Sequence, residues 1–333
     1  MNLGSPDSTS VKDVRGYLNE FLMDERVIDS PYLVRSVLVK GVITPFRAPK
    51  SAEAYTTIWT KEGSPLVAIT HQLKEALQKQ MEEPVEVAMR YGQPSMKTAY
   101  DKLANKYPGI EEVILLPLYP HYAMSSYETA VEHAKSVHTK GKYPFSITFV
   151  PPFYNHPSYI KALAESMNPY IKNGDSHLLF SYHSIPERHI HKSDITGNHC
   201  LMSEGCCTTP SPAHKYCYRH QCFTTTQLVT ELLGIPKEKY SVSFQSKLGR
   251  SEWLKPSTTL RMGQMPAEGV KDLTVVCPSF VSDCLETLEE IAIREKENFL
   301  NAGGKSFTYI PCMNTQQPWI NAVIDLLRTG KNL

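Results

Sequence analysis

DLTVVCPSFVSDCLETLEEIAIREKENFL, residues 272–300, holds in one stretch the alternation on which the fold turns. Leu273 to Val276 is a short continuous apolar run, the pattern of a strand buried on both faces. Pro278 ends it, and from Val281 to Leu300 the apolar residues return at helical spacing. The same change of period recurs along the chain. VEVAMRYG (85–92), EEVILLPLYP (111–120), FSITFVPPF (145–153), SHLLFSYHS (176–184), YSVSFQS (240–246) and SFTYIPC (306–312) read as further strands. Helical patterns cover 11–22, 65–81, 95–106, 156–171 and 223–233. Strand–helix alternation with near-continuous apolar strands predicts an α/β fold of parallel sheets covered on both faces. At 333 residues the chain is long for one small wound sheet. PPFYNHP (151–157) divides it into two doubly wound halves, 1–150 and 151–333, without a sequence repeat between them.

Composition removes several classes of function. A formal charge of +1 gives no broad electrostatic surface for nucleic acid. No apolar run reaches the roughly 18 residues of a transmembrane candidate. No basic-then-apolar export segment opens the chain, so the expected compartment is reducing and cytoplasmic. The opening itself, MNLGSPDS, reads as the turn between a strand and the helix over 11–22, with Asp7 or Ser8 to cap it, yet the strand is missing. The expectation is that Met1 is an internal methionine and the natural chain starts upstream.

The strand ends carry the chemistry. RYGQP, LYPHY, YHSIP, FQSKLG and CPSF each place polar or aromatic groups directly after an apolar run, and open α/β sheets bind ligands beyond the carboxyl ends of their strands. Neither GxGxxG nor GxxxxGK[ST] occurs, so no nucleotide cofactor is expected. In FSYHSIPER (180–188), His183 closes a strand before the turn at Pro186. Its imidazole can take a proton near neutrality or ligate a divalent metal; a strand-end hydrogen-bonding role is the bland reading. Asp283, Glu286 and Glu290, three and four residues apart, share one helix face, with Leu285, Leu288 and Ala292 on another. Carboxylates favoured by a helix amino terminus explain Asp283 well and Glu290 poorly. In 31–59, Leu33, Val34, Val37, Leu38, Val39, Val42 and Ile43 are mixed with Arg35, Lys40, Arg47 and Lys50. That pattern suits a peripheral membrane contact, a lip over a flat ligand, or a core-facing helix with a solvated edge.

Taken in order, NLGSPDS, EFLMDERVID, FRAPKSAEAYTTIWTKEGSPL, AMRYGQPS, LLPLYPHY, FSYHSIPER, SFQSKLGRSEWLKP and VSDCLETLEEI resemble the ferrochelatases, which insert ferrous iron into a porphyrin. The resemblance implies two Rossmann-like domains around a porphyrin cleft, no nucleotide, and Fe2+ and protoporphyrin IX as substrates, with protohaem as product and two protons released. It makes His183 the cleft histidine and Glu286 the facing carboxylate, with Asp283 beside it, and His183 and Glu286 the contacts of substrate iron. Arg90, Tyr91, Ser64, Tyr119, Tyr122, Phe244 and Trp253 would line the porphyrin site, and Arg90, Arg47 or Lys50 would meet the propionates. A coproporphyrin ferrochelatase and a tetrapyrrole or metal carrier without turnover are the alternative readings. The chain departs from the pattern at Cys284, where histidine is common, and in YPHYAMSSYETA (119–130).

Five of the eight cysteines fall within 200–222. Motif alignment marks about 195–217 as an insertion, and in a reducing compartment clustered cysteines suit metal better than disulfides. Some ferrochelatases are similar in carrying a [2Fe–2S] cluster, and Cys200, Cys206, Cys207 and Cys217 would supply its four thiolates here. Cys222 stays open as a substitute for Cys206 or Cys207. Zinc held with His199, His214 or His220 is the rival. The sequence sets no oligomeric state.

Overall fold

The computed structural model describes residues 1–171, 176–247, 249 and 251–329. Two residues of the SFQSKLGRSEWLKP motif, Leu248 and Arg250, lie outside them. The chain forms two compact units. The first comprises Met1–Tyr119, Met124–Pro151 and the stretch from Ile324; the second comprises Pro120–Ala123 and Pro152–Val323.

In the first unit, β1 (Glu112–Leu115) pairs in parallel with β2 (Ser146–Phe149). Ala88, Met96, Ala99, Tyr100, Leu115, Ala134 and Phe145 pack as one core beside them. The stretch 85–92 does not become a regular strand; Met89 makes only single bridges, to Asn2 and to Ser95. Residues 1–3 take up its remaining hydrogen bonds, Asn2 N–H donating to Ala88 O and Arg90 N–H to Asn2 O. The Met1 ammonium is buried and donates to Leu116 O at 2.7 Å, and burial lowers its pKa to about 5. Gly4 has φ +103°, and a Cβ there would sit 1.7 Å from Tyr91 O, so the turn accepts glycine alone. The following helix, Val11–Leu22, is capped by Ser10, whose hydroxyl accepts from Asp13 N–H.

The segment after residue 31 is helical throughout, as Tyr32–Ser36, a wide-turned π-helix Val37–Ile43, and Thr44–Ile58. Tyr32, Leu33, Val34, Val37, Val42 and Phe46 are all more than half exposed. Arg35 is not one of the bordering cations expected from the sequence. It is buried, and Nη1 donates to the carbonyls of Ile28 and Ser30.

The second unit holds four parallel strands: β3 (His177–His183), β4 (Tyr240–Gln245), β5 (Asp272–Val276) and β6 (Ser306–Tyr309). Their spatial order is β4-β3-β5-β6. The chain thus winds one way from β3 to β4 and the other way to β5 and β6. The order reverses beside β3, and the crevice beyond a strand end at such a point is where wound sheets take ligands. Leu178 through Tyr182 are buried, as a strand covered on both faces requires.

The helix after β5 departs from expectation. Residues Glu286–Glu295 form a π-helix, which continues as an α-helix over Lys296–Asn301. Asp283 precedes the first turn and so stands off the acidic stripe, which keeps Glu286 and Glu290. Such i→i+5 turns widen a helix at a cost in hydrogen-bond geometry and collect at functional sites.

Candidate active site

His183 is the last residue of β3, at the point where the strand order reverses, and it is held from three sides. Its main-chain N–H donates to Ser279 Oγ at 3.0 Å, in the turn after β5. Its carbonyl accepts from Tyr218 Oη at 2.8 Å. Its Nδ1 lies 2.6 Å from Ser184 O, which can only accept, so Nδ1 carries the proton and the neutral ring has its lone pair on Nε2. The ring meets Phe280 edge-on at 6.2 Å.

On β4, Gln245 is the register partner of His183, and Gln245 O accepts from Ser184 N–H at 2.8 Å. The Gln245 side chain is buried in turn: Oε1 accepts from Ser181 Oγ at 2.7 Å, and Nε2 donates to Glu286 O at 2.8 Å. One amide therefore ties the end of the histidine strand to the first turn of the π-helix. The next residue, Ser246, sits at φ +66° and grips the second carboxylate, its N–H donating to Glu290 Oε1 at 2.8 Å and its hydroxyl to Oε2. Burial raises the Glu290 pKa to about 7, against the lowering effect of those hydrogen bonds and of Arg294. Glu286 is half-buried, and the Cys284 thiol donates to its carboxylate. A histidine with a defined lone pair, one half-exposed carboxylate and one carboxyl titrating near neutrality are thus fixed around the ends of β3, β4 and β5. Such a set can accept protons and exchange ligands on a divalent ion.

Asp283 does not share that setting. It accepts from Tyr309 Oη and Asn314 Nδ2, both at 2.6 Å, and from Thr287 Oγ1 at 3.0 Å. With 5% of its surface exposed, it braces the loop before the π-helix against β6 and the turn after it. The sequence spacing gave no sign of those donors, which come from residues 287–314.

The ring-lining candidates divide. Tyr122 and Trp253 are partly exposed, and Trp253 Nε1 is buried without a hydrogen-bond partner among the described residues. Phe244 is a core residue, 1% exposed and packed against Tyr182 and Phe223, and has no free face to offer. In the first unit, Ser64 is buried and Tyr119 is partly exposed with its hydroxyl buried and unpartnered among the described residues. Tyr91 is fully buried and donates to Asp24 at 3.0 Å. Arg90, expected at a propionate, pairs with the same Asp24 carboxylate and donates through Nε to Thr129 at 2.8 Å. Burial pushes Asp24 up, but Thr129, the Arg26 amide and the Arg90 charge outweigh it and hold the carboxyl below its ordinary value. The charge of Arg90 is therefore balanced inside the unit. Lys50 is exposed, and Arg47 is partly buried.

In the insertion, Cys200, Cys206, Cys207 and Cys217 are buried and free of disulfides. Cys206 Sγ and Cys207 Sγ lie 3.9 Å apart, and Cys217 accepts from the thiols of Cys207 and Cys200. The Cys207 thiol first, then the His220 main-chain N–H and the Cys200 thiol, pull its pKa down to about 6 against the effect of burial. Arg219 Nη1 reaches Cys207 Sγ at 3.3 Å and Cys206 Sγ at 3.6 Å, and Leu201 N–H donates to Cys206 Sγ at 3.4 Å. The histidines turn elsewhere: His199 and His214 bond Cys206 O, and His220 bonds Cys207 O. Among the described residues no three His, Cys, Asp or Glu side chains are arranged to hold a metal ion. Cys222 stands apart from the group, fully buried in the helix Tyr218–Leu233 and hydrogen bonded to Tyr218.

Sequence reasoning named His183, Glu286 and Glu290 but missed Gln245, Ser246, Ser279 and Tyr218, which hold them. Their only advance signal was position, since three of the four follow or end an apolar strand.

Comparison with known proteins places these features. The Ferrochelatase family profile matches residues 1–331. The ferrochelatase of Ectopseudomonas mendocina is 47% identical over 324 residues, covering 97% of this chain and 94% of its own. That of Opitutus terrae is 47% identical over 332 residues, covering 99% and 96%. Among solved structures, SirB from Bacillus subtilis with Fe3+ superposes with a TM-score of 0.54 at 12% identity, over 80% of this chain and 89% of that one, a likeness of fold alone. The chain belongs to the ferrochelatase family, whose members are lyases.

Proposed function

We propose that the chain inserts ferrous iron into protoporphyrin IX to give protohaem, with His183 and Glu286 as its reacting side chains. The observation that carries this reading is the bridge through Gln245. It brings an imidazole whose Nδ1–H is fixed on Ser184 O and the first turn of an acidic π-helix to the same corner of one sheet. Metallation removes two pyrrole protons and strips the ion of water. His183 Nε2 takes the first proton. Glu286 and Glu290, one helical turn apart, pass protons or hydrated iron along the helix, and Glu290, with a pKa of about 7, does so near neutral pH. Tyr122 and Trp253 contact the macrocycle, and the buried Trp253 N–H gains an acceptor there. Asp283 keeps the helix in place.

The four gathered thiols fit a [2Fe–2S] cluster: Cys200, Cys206, Cys207 and Cys217 would hold it, with Arg219 and the Leu201 N–H donating to sulfur. When bound, such a cluster supplies cross-linking and one-electron chemistry. The exposed apolar helices after residue 31 serve as a peripheral membrane contact.

Anaerobic incubation with ferrous iron and either protoporphyrin IX or coproporphyrin III, followed by the porphyrin absorbance, tests the activity and the choice of ring. His183→Ala is expected to lose two or more orders of magnitude in turnover, in the range of about 10²–10⁴-fold for a lost proton acceptor, while porphyrin binding persists. Equal turnover by the variant and the wild type would sink the assignment, and turnover of coproporphyrin alone would change the substrate.

A further inference from the structure

The residue that bonds the His183 carbonyl belongs neither to the sheet nor to the π-helix. Tyr218 is the first residue of the helix Tyr218–Leu233, and the residue before it, Cys217, is both the helix cap and one of the four gathered thiols. The Tyr218 hydroxyl donates to His183 O at 2.8 Å and is also hydrogen bonded with Ser279, the residue that receives the His183 N–H. The peptide between His183 and Ser184 is therefore held at both ends, its carbonyl by Tyr218 and its N–H by Gln245 O. From Ser184 projects the carbonyl that accepts Nδ1–H and sets the tautomer. A shift of Tyr218 moves that whole chain of contacts. The same first turn carries Gln221, fully buried, whose Oε1 accepts from Tyr122 N–H at 2.6 Å and whose Nε2 donates to Lys215 O in the insertion. Tyr216, also of the insertion, meets the Tyr122 ring at 5.0 Å.

We infer that Tyr218 is a positioning residue for His183, through which the state of the cysteine insertion reaches the catalytic imidazole. The inference rests on the reading of His183 given above. The Cys217 sulfur leaves the chain at the cap of this helix, and the next side chain along is the one that holds the histidine peptide. A misplacement of about 1 Å in a reacting group can cost about a hundredfold in rate, so a lost strut is felt in turnover more than in substrate binding.

Tyr218→Phe keeps the ring and removes the hydroxyl. In the full chain it is expected to lower kcat about tenfold while KM for porphyrin and for ferrous iron stays within about twofold. Histidine-selective 15N spectra should show the His183 signal, identified by its disappearance in His183→Ala, shifted or doubled. Combined with Cys217→Ser, the double variant should lose little more than the worse single variant, because both break one path. Unchanged kcat with an unmoved His183 signal overturns the inference, as do additive losses. If Tyr218→Phe does not fold, Ser279→Ala takes the same two readouts, and wild-type values there overturn it equally. Wild-type turnover in His183→Ala would overturn the catalytic reading and this inference together; loss there beside wild-type behaviour in Tyr218→Phe overturns the inference alone.

Discussion

Glu290 shows how one side chain can trade stability for chemistry. Water is nearly excluded from its carboxylate, and the two donors of Ser246 offset only part of that cost, so its pKa stands at about 7. An unfolded glutamate releases its proton near 4.5, so between there and about pH 7 the folded chain holds a proton that the unfolded chain has given up. Stability from this group is complete below about pH 4.5 and is lost as pH rises through 7, a difference of about 3 kcal/mol. Glu290→Gln removes the titration. Urea unfolding should then show the variant more stable than the wild type at pH 8 and close to it at pH 4.5, and a parallel pH dependence in the two proteins would contradict the assignment. Asp283 is buried as well, but it is held as a brace by tyrosine, asparagine and threonine donors. In the sequence only their distance from the helix start tells the two acids apart, because helical spacing counts positions and cannot see which donors fold in from distant segments.

At the scale of elements, all the expected strands but 85–92 were legible and the helix type was not. A buried parallel strand advertises itself by an unbroken apolar run, and LLFSY and LTVV emerged as β3 and β5. A π-helix has a wider period than an α-helix, but the 10 residues of Glu286–Glu295 make too few turns for the two periods to be told apart in the sequence. What supports the wide turn is tertiary: Gln245 donates to Glu286 O and Ser246 holds Glu290 one turn later. The stretch 85–92 failed as a strand for a related reason, since its partners are residues 1–3 and its register reduces to single bridges. Gln245→Leu tests the support directly. It leaves the Glu286 carbonyl and the Ser181 hydroxyl without the buried amide, which should cost about 2 kcal/mol of stability, measured by urea unfolding. Circular dichroism should change little, because one strand end and not the sheet is affected. A variant as stable as the wild type would mean that the π-helix holds itself.

For the molecule as a whole, the family and the wound sheet could be read from the sequence, and so could the placing of His183 at a strand end, which punctuation marks, and of Glu286 on the helix after β5, which helical spacing marks. The surface could be read only in part. The apolar residues after 31 were visible, but not that Leu33 and Phe46 would be 77% and 76% exposed while Arg35 turned inward. No described helix is long and apolar enough to cross a membrane. The membrane contact proposed above would use that exposed set, with Lys40, Arg47 and Lys50 close by in sequence. Each exposed leucine or phenylalanine entering the interface contributes about 1.5–3 kcal/mol when fully buried, and each nearby cation about 1 kcal/mol on an anionic surface. Leu33→Ser with Phe46→Ser should therefore weaken sedimentation with phosphatidylserine-containing vesicles by about a hundredfold. Neither side chain packs into the core, so the thermal midpoint should move by no more than a surface change does, about 0.5 kcal/mol in stability. Turnover of porphyrin in solution separates the two roles of the segment: a lip that only docks on lipid leaves it unchanged, whereas one that also covers the ring raises KM in the same variant. Equal vesicle binding by the variant and the wild type would remove the membrane from the account.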